Sequence, residues 1–467
     1  MKNIYTPDFL LSNAYGKRLF HEVAEGLPII DWHNHVDPSV LATNKTFDNI
    51  YQLWVQNDPY KHRAMRIFGI EESLITGSES TDYEKFVAWA KCLPHTVGNP
   101  LFHWSCMELK TIFGIDSVLT FDNALEIWEK ANPILKQKNY GALDILSRFK
   151  VEMLCTSDDL LDDLAHHTTL SENGSDVACL PSLRSDSIIN FNQSSFFNWL
   201  EKLENITKIK VNSLENYKKA VVQRLDFFDE KGCLLSDHSL DGGFRFIQTD
   251  PSVSARIFSK FLEKKTLTNT EFVRLQSHVL HFLGIEYAKR DWKMQLHIGA
   301  HRFTSSRLRQ KVGAAGGFAG IGNTADIASI CSFLDELDLK NSLPKTILYT
   351  LNPADNAAFA TLTGSFSTDN VQGKIQFGPA WWYNDHYEGI RQQLLDLSSY
   401  GLLSTTIGFT TDSRSILSFT RHDYYRRILC NLLGEWVEQG KLPDDWGFLS
   451  NLVRRVAYEN IKNWIKK

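Results

Sequence analysis

No run in this chain reaches the roughly 18 apolar residues of a membrane span, and the opening MKNIYTPDFLLSNAYGKRLF has no apolar leader core. Charge of one sign is missing as well. Lys and Arg number 50 against 55 Asp and Glu, a net charge of −5, with no long block of either sign. Nucleic acid and anionic membranes are therefore excluded as main partners. Cysteines are few, seven in all, with no CxxC pair. Cys155, Cys179 and Cys233 fall in or beside short apolar runs, so they read as reduced core residues and the expected compartment is the cytoplasm. No GxxxxGK[ST] loop and no GxSxG elbow occurs. The glycine-rich GAAGGFAGIG at 313–322 lacks GxGxxG spacing and follows no convincing strand, so it reads as a mobile loop. Solenoid repeats and low-complexity tracts are absent.

What is present is enough apolar material for a large core, 43% of 467 residues with 22% charged. Eight β-rich runs recur: 27–33, 151–157, 177–183, 232–237, 293–298, 345–351, 374–380 and 403–412. Several are almost continuously apolar, as parallel strands covered on both faces are. Between them NWLEKLENI, ADIASICSFLDEL, YEGIRQQLLDL and YYRRILCNLLGEWVEQ carry helical spacing. Strands alternating with helices predict an α/β fold of the (β/α)8 TIM-type barrel class. The stretch after the first strand is too long for one crossover, and YQLWVQNDPY, YEKFVAWAKCL, LFHWSCMELKTIFGI and ALEIWEKANPIL are helical in rhythm. The expected organisation is a barrel over 1–35 and 151–467 with a helical insertion, 36–150, over its mouth.

Polar residues gather where the strands end, which in a barrel is the catalytic face. His33 and His35 are two apart, so both point to one side of an extended chain. Two imidazoles so placed suit a divalent ion, and Asp412 at the end of the last strand is the expected carboxylate ligand. His297 is either a further ligand or a neutral imidazole polarising a substrate oxygen. His238 is either a support for the site or a structural hydrogen-bonder, and Asp158-Asp159 reads as a helix N-cap. Arg184, Arg302 and Arg414 each lie just beyond a strand end, and guanidinium forks suit a carboxylate. Strand seven runs into Trp381-Trp382, and Trp381 is expected against the substrate.

Several motifs together resemble the uronate (glucuronate) isomerase family of the amidohydrolase superfamily. They are IIDWHNHVDP, RAMRIFGI, LFHWSCMELK, CTSDD, LPSLR, SDH, LHIGAHR, TILYTLNPADN, FGPAWWYND, TDSRS and RHDYYRRILCNLLGEWVE. The resemblance covers almost the whole chain and implies a distorted barrel with a helical insertion. It implies interconversion of D-glucuronate with D-fructuronate and of D-galacturonate with D-tagaturonate, so the expected partner is a small hexuronate. By the same resemblance His33, His35 and Asp412 hold one divalent metal, usually zinc. Tyr60, Arg184, His297, Arg302 and Arg414 line the sugar site. A homo-oligomer is expected. The chain departs from the family pattern at Pro59, where a histidine is usual, at Ser105-Cys106 in place of Thr-His, and in FTSSRLRQ after LHIGAHR.

Isomerisation requires a proton to leave C2 and return at C1 through an enediolate. The metal and Arg414 are expected to polarise oxygen and Asp412 to carry the proton. Tyr60 and His297 are candidates for the partner acid, with Arg184 and Arg302 on the substrate carboxylate. The rivals are a metal-dependent amidohydrolase or deaminase on the same barrel and a non-catalytic sugar-acid binder. Strand six, TILYTLNP, offers no histidine of the kind the superfamily's hydrolases use, which favours the isomerase.

Overall fold

The computed structural model describes residues 1–191, 195–241 and 243–467. The fold is mixed α/β, built on parallel strands that succeed one another in chain order. β1 (Ile29–Asp31), β2 (Val151–Cys155) and β4 (Ala178–Leu180) form one sheet. β3 (Asp158–Asp159), β5 (Leu183–Arg184), β6 (Leu235–Leu240), β7 (Lys293–Ile298), β10 (Thr346–Thr350) and β11 (Ile375–Phe377) form a second. The two sheets are continuous, because the stretch leaving β2 for β3 runs beside the one leaving β4 for β5. Thr156 N–H donates to Leu180 O and Asp158 N–H to Ser182 O there. A third, antiparallel pair joins β8 (Ala300–His301) to β9 (Gly320–Ile321).

Alternation along β7 explains the layering. Met294, Leu296 and Ile298 pack among the outer helices, with Leu280 and Leu283 of Asn269–Lys289 and Phe333 of Ile327–Asp338. On the opposite face Gln295 accepts from Tyr349 Oη, which in turn accepts from Trp32 Nε1. His297 stands beyond that polar layer on the same face. Residues between β1 and β2 form helices only, among them Pro59–Ile67, Asp82–Cys92, Pro100–Phe113 and Ala124–Leu135. These share one apolar cluster with Leu19, Phe20 and the buried face of Thr420–Glu438.

Two expectations need correction. The fourth strand begins at Leu235 instead of 232 and continues through His238 to Leu240. Its polar middle is buried, so hydropathy places it too early. The run 403–412 is not a strand: Leu403–Thr405 is a 3-10 turn and 406–413 joins no ladder. Gly408 (φ 85°) and Asp412 (φ 46°) leave the extended region, which breaks the repeat a ladder needs. The segment nonetheless lies along the continuation of β1, where Asp412 N–H donates to His33 O (3.1 Å) and His35 N–H to Ser413 O (2.9 Å).

Gly408 also sits against the C-terminal helices, and a Cβ there would lie 2.4 Å from Val456 O. Gly98 shares its left-handed backbone (φ 83°) but has nothing within 4 Å of such a Cβ. Gly98→Ala should therefore cost only the backbone strain, about 1 kcal/mol, and Gly408→Ala distinctly more. Thermal unfolding midpoints test this; an equal fall in both variants would contradict it.

Candidate active site

The site starts from the end of β1. His33 and His35 extend that strand and meet Asp412, whose Oδ1 lies 3.3 Å from His33 Nε2 and 3.0 Å from His35 Nε2. The left-handed backbone at Asp412, tolerated by aspartate, turns its carboxylate back between the two rings. Burial pushes the Asp412 carboxyl up, but the two imidazoles outweigh it and hold it well below the ordinary range. Burial drives His35 down to about 4. At His33 the same burial is outweighed by Asp237 and Asp412, which raise it.

His297 reaches the same place from β7, its ring centroid 4.6 Å from that of His33. Its Nδ1 lies 2.6 Å from Asp237 Oδ1. Asp237 is buried, yet His297 and His33 hold its carboxyl below the ordinary range, so it is ionised and only accepts. His297 Nδ1 must then carry the proton. Burial lowers His297 against the pull of Asp237, which favours the neutral ring. Nε2, buried and without a partner, is left with its lone pair. This tautomer leaves Nε2 able to accept a hydrogen bond or to ligate a metal, and not to donate to a substrate oxygen.

A cavity of about 690 Å³ opens over these groups, lined by His33, His35, Tyr60, Arg184, Asp237, His297, Arg302, Trp381, Asp412 and Arg414. Every residue expected at the site therefore borders one space. Arg184 Nε donates to Asp186 (2.9 Å) and its Nη2 to Ser239 Oγ (3.3 Å). Burial works against the Arg184 charge, but Asp186 and Asp237 more than offset it. Arg302 Nε donates to Asp241 (3.0 Å). Burial lowers Arg414, with Arg184 adding to the effect. Tyr60 begins the helix Pro59–Ile67, whose first turn is fixed by Asp58 accepting from Tyr60 N–H and Lys61 N–H. Burial raises the Tyr60 phenol well above its ordinary range, so it stays protonated and can donate.

Two other readings resolve. Asp158-Asp159 is no N-cap, since the next helix starts at Ala165 with Leu164 before it. The pair forms β3, and Asp159 accepts from Trp199 Nε1 (3.1 Å) and Leu161 N–H (3.0 Å). His238 is structural: strand alternation turns it away from Asp237, toward Tyr287 Oη at 3.1 Å. Asp186, Ser239, Asp241 and the Asp237 contact were not found from the sequence. An Asp two residues after Arg184 was the one local signal available; the rest depends on pairing between distant strands.

The donor set fits a metal. One ligand atom each from His33, His35 and Asp412 lie within 4.8 Å of one another, and so do His33, Asp237 and His297. Two imidazoles and a carboxylate suit a divalent transition ion.

A buried histidine–aspartate cluster and three arginines, bordering one cavity on parallel strands, have the character of a metal-capable α/β enzyme site. Comparison with known proteins narrows the class. The family model for glucuronate isomerase matches residues 1–465, and the chain belongs to that family. It is 44% identical to the uronate isomerase of Bacillus licheniformis, over 100% of this chain and 98% of that one. Its fold matches the crystal structure of the Thermotoga maritima uronate isomerase with a TM-score of 0.93 at 32% identity, over 99% of each chain. The glucuronate isomerase of Caulobacter crescentus, 22% identical, shares the fold with a TM-score of 0.92 over 100% of this chain and 97% of that one.

If the cluster binds metal, purified protein should carry about one divalent ion per chain. His33→Ala combined with His35→Ala should remove it while the circular dichroism spectrum stays unchanged. Undiminished metal by elemental analysis would rule the cluster out.

Proposed function

We propose that this protein interconverts D-glucuronate with D-fructuronate, and D-galacturonate with D-tagaturonate, by proton transfer through an enediolate. The observation that carries the proposal is the convergence of Asp412, His297, Tyr60 and three arginines on one cavity. A divalent ion held by His33, His35 and Asp412, zinc as the resemblance to the family implies, would act as a Lewis acid for substrate oxygen.

The chain's own groups fit the remaining tasks. Arg184 and Arg302 are assigned to the C6 carboxylate, each braced by an aspartate (Asp186, Asp241) that aims its guanidinium. Asp412 takes the proton from C2 and returns it at C1. The O2 hydroxyl proton must meanwhile leave and O1 must gain one. His297, with Nε2 as acceptor, suits the first step, and Tyr60, protonated by burial, suits the second. Arg414 faces the charge that develops on the enediolate oxygens. Trp381, whose ring centroid is 4.7 Å from that of His297, forms an apolar wall for the sugar.

The architecture is read as a distorted (β/α)8 barrel over 1–35 and 151–467, with 36–150 as a helical insertion over its mouth. Segment 406–413 would stand in for the eighth strand. Its bonds to the β1 continuation, and that of Thr405 O with Gln376 Nε2 beside β11, support closure there. Seven free cysteines support a reducing compartment, the cytoplasm.

Incubation with each uronate, following ketose formation, tests the activity. Asp412→Asn keeps the size but removes the base, so turnover should fall by roughly 10²–10⁴-fold. In D₂O the wild type should place deuterium at C1 of the ketose, which a hydride shift cannot do. Full activity in Asp412→Asn would overturn the role.

Arg184→Met and Arg302→Met should each cost about 1.5–3 kcal/mol of kcat/KM for uronates. A substrate with hydroxymethyl in place of carboxylate should hurt the wild type in the same way. Normal uronate kinetics in both variants would move the anion site elsewhere.

A further inference from the structure

The glycine-rich segment 313–322 is docked, not free. It is the return limb of an excursion, residues 300–321, whose foot is the β8–β9 pair of Ala300 with Ile321 and His301 with Gly320. Below that foot Gly322 N–H donates to Gly299 O at 2.7 Å. The excursion carries Arg302 on its outgoing limb, and its return limb, at Gly316 to Ala319, reaches the helix Pro59–Ile67, which carries Tyr60. Residues from both limbs, Phe303, Ala315 and Ala319 among them, line the cavity together with Pro59 and Arg63.

The docking is made by side-chain donors on main-chain carbonyls. Arg63 Nη1 donates to Gly317 O (3.2 Å) and Ala319 O (3.0 Å). Tyr383 Oη donates to the same Ala319 O at 2.6 Å, and the Arg63 guanidinium lies 4.9 Å over the Tyr383 ring. Arg66, gripped by Glu72 through two 2.7 Å bonds, donates to Gly316 O. The approach also requires glycine: Gly317 has φ 77°, and a Cβ there would lie 2.5 Å from Pro59 O.

We propose that Arg63 is a positioning residue for the reaction: through the carbonyls of Gly317 and Ala319 it straps the 300–321 excursion across the cavity in its substrate-binding form. The inference rests on the reading of this cavity as the hexuronate site. Ala319 adjoins Gly320, which pairs with His301 beside Arg302, so loss of Arg63 loosens the return limb against which the limb carrying Arg302 is paired. Because its acceptors are carbonyls, the strap depends on the main chain's path and tolerates varied side chains along it.

Three variants test the strap: Arg63→Met, Arg63→Lys and Gly317→Ala, which opens the same contact from the other side while leaving the Arg63 side chain in place. Arg63→Met and Gly317→Ala should each raise KM for D-glucuronate about tenfold, with a smaller effect on kcat, the size expected for one or two lost hydrogen bonds. Both should speed tryptic cleavage after the exposed Arg307, Arg309 and Lys311. Arg63→Lys, which keeps one donor, should fall between. A wild-type KM in Gly317→Ala, or unchanged proteolysis in Arg63→Met, would overturn the proposal. A KM restored fully by Arg63→Lys alongside a normal Gly317→Ala would reduce Arg63 to a long-range charge. Failure of the underlying cavity reading looks different, since Asp412→Asn would then retain activity.

Discussion

Asp31 is fully buried at the end of β1, and its carboxylate replaces a missing β-ladder. Oδ1 accepts from the Thr410 hydroxyl at 2.8 Å, and Oδ2 from Thr411 N–H and His422 Nε2, both at 3.0 Å. A buried carboxylate is tolerable only when its lone pairs are filled in this way. The geometry of the site depends on this anchor. A regular strand there would keep residue 412 extended and alternate its side chains. Held from below by this side chain and above it by two backbone bonds, to His33 and from His35, the segment turns left-handed at Asp412 and places that carboxylate between His33 and His35. A support one layer below the chemistry thus fixes the distances above it.

The segment is gripped from its other side by a second buried charge. Arg421, with none of its side chain exposed, lies 3.7 Å over the Trp104 ring and 5.0 Å from that of Tyr60. It lies 3.4 Å from both Thr411 O and the Asp385 carboxylate. Burial pushes Asp385 up to about 7 even with Arg421 opposing it. Nearby, Lys61 bridges Asp58 at 2.6 Å and Glu108 at 3.6 Å, again out of water. Networks of this kind add little stability relative to apolar packing, but removing one member strands the others. Here they lock the helix start that carries Tyr60 to the segment that carries Asp412.

The sequence was informative where local pattern and final burial coincide. Lys293–Ile298 reads as a strand at its true limits because Met294, Leu296 and Ile298 alternate with polar residues, the period of an extended chain. The HxH pair and the arginines at strand ends border one cavity because strand direction fixes where such residues gather. Failures share a different cause. Ser236, Asp237 and His238 are buried polar residues inside β6, and hydropathy cannot tell these from a loop. TTIGFTTD has the β-branched look of a strand, while Gly408 and Asp412 bend it for reasons that lie in Val456 and His33. The Ser239 contact of Arg184, the Asp241 brace on Arg302 and the Arg63 contact join parts of the chain far apart, and no spacing rule reports them.

The closing seam also has a temporal side. Thr410 and Asp31 are 379 residues apart, so the first strand cannot receive its neighbour until nearly all the chain exists. At typical synthesis rates of about 5–20 residues per second, His33 and His35 would leave the ribosome roughly 20–75 s ahead of Asp412. During that interval the cluster has two imidazoles and no Asp412. The last helices bring the segment in through His422 and Arg421, both within Thr420–Glu438. The cluster of His33, His35 and Asp412 is thus assembled only once residue 412 has been made.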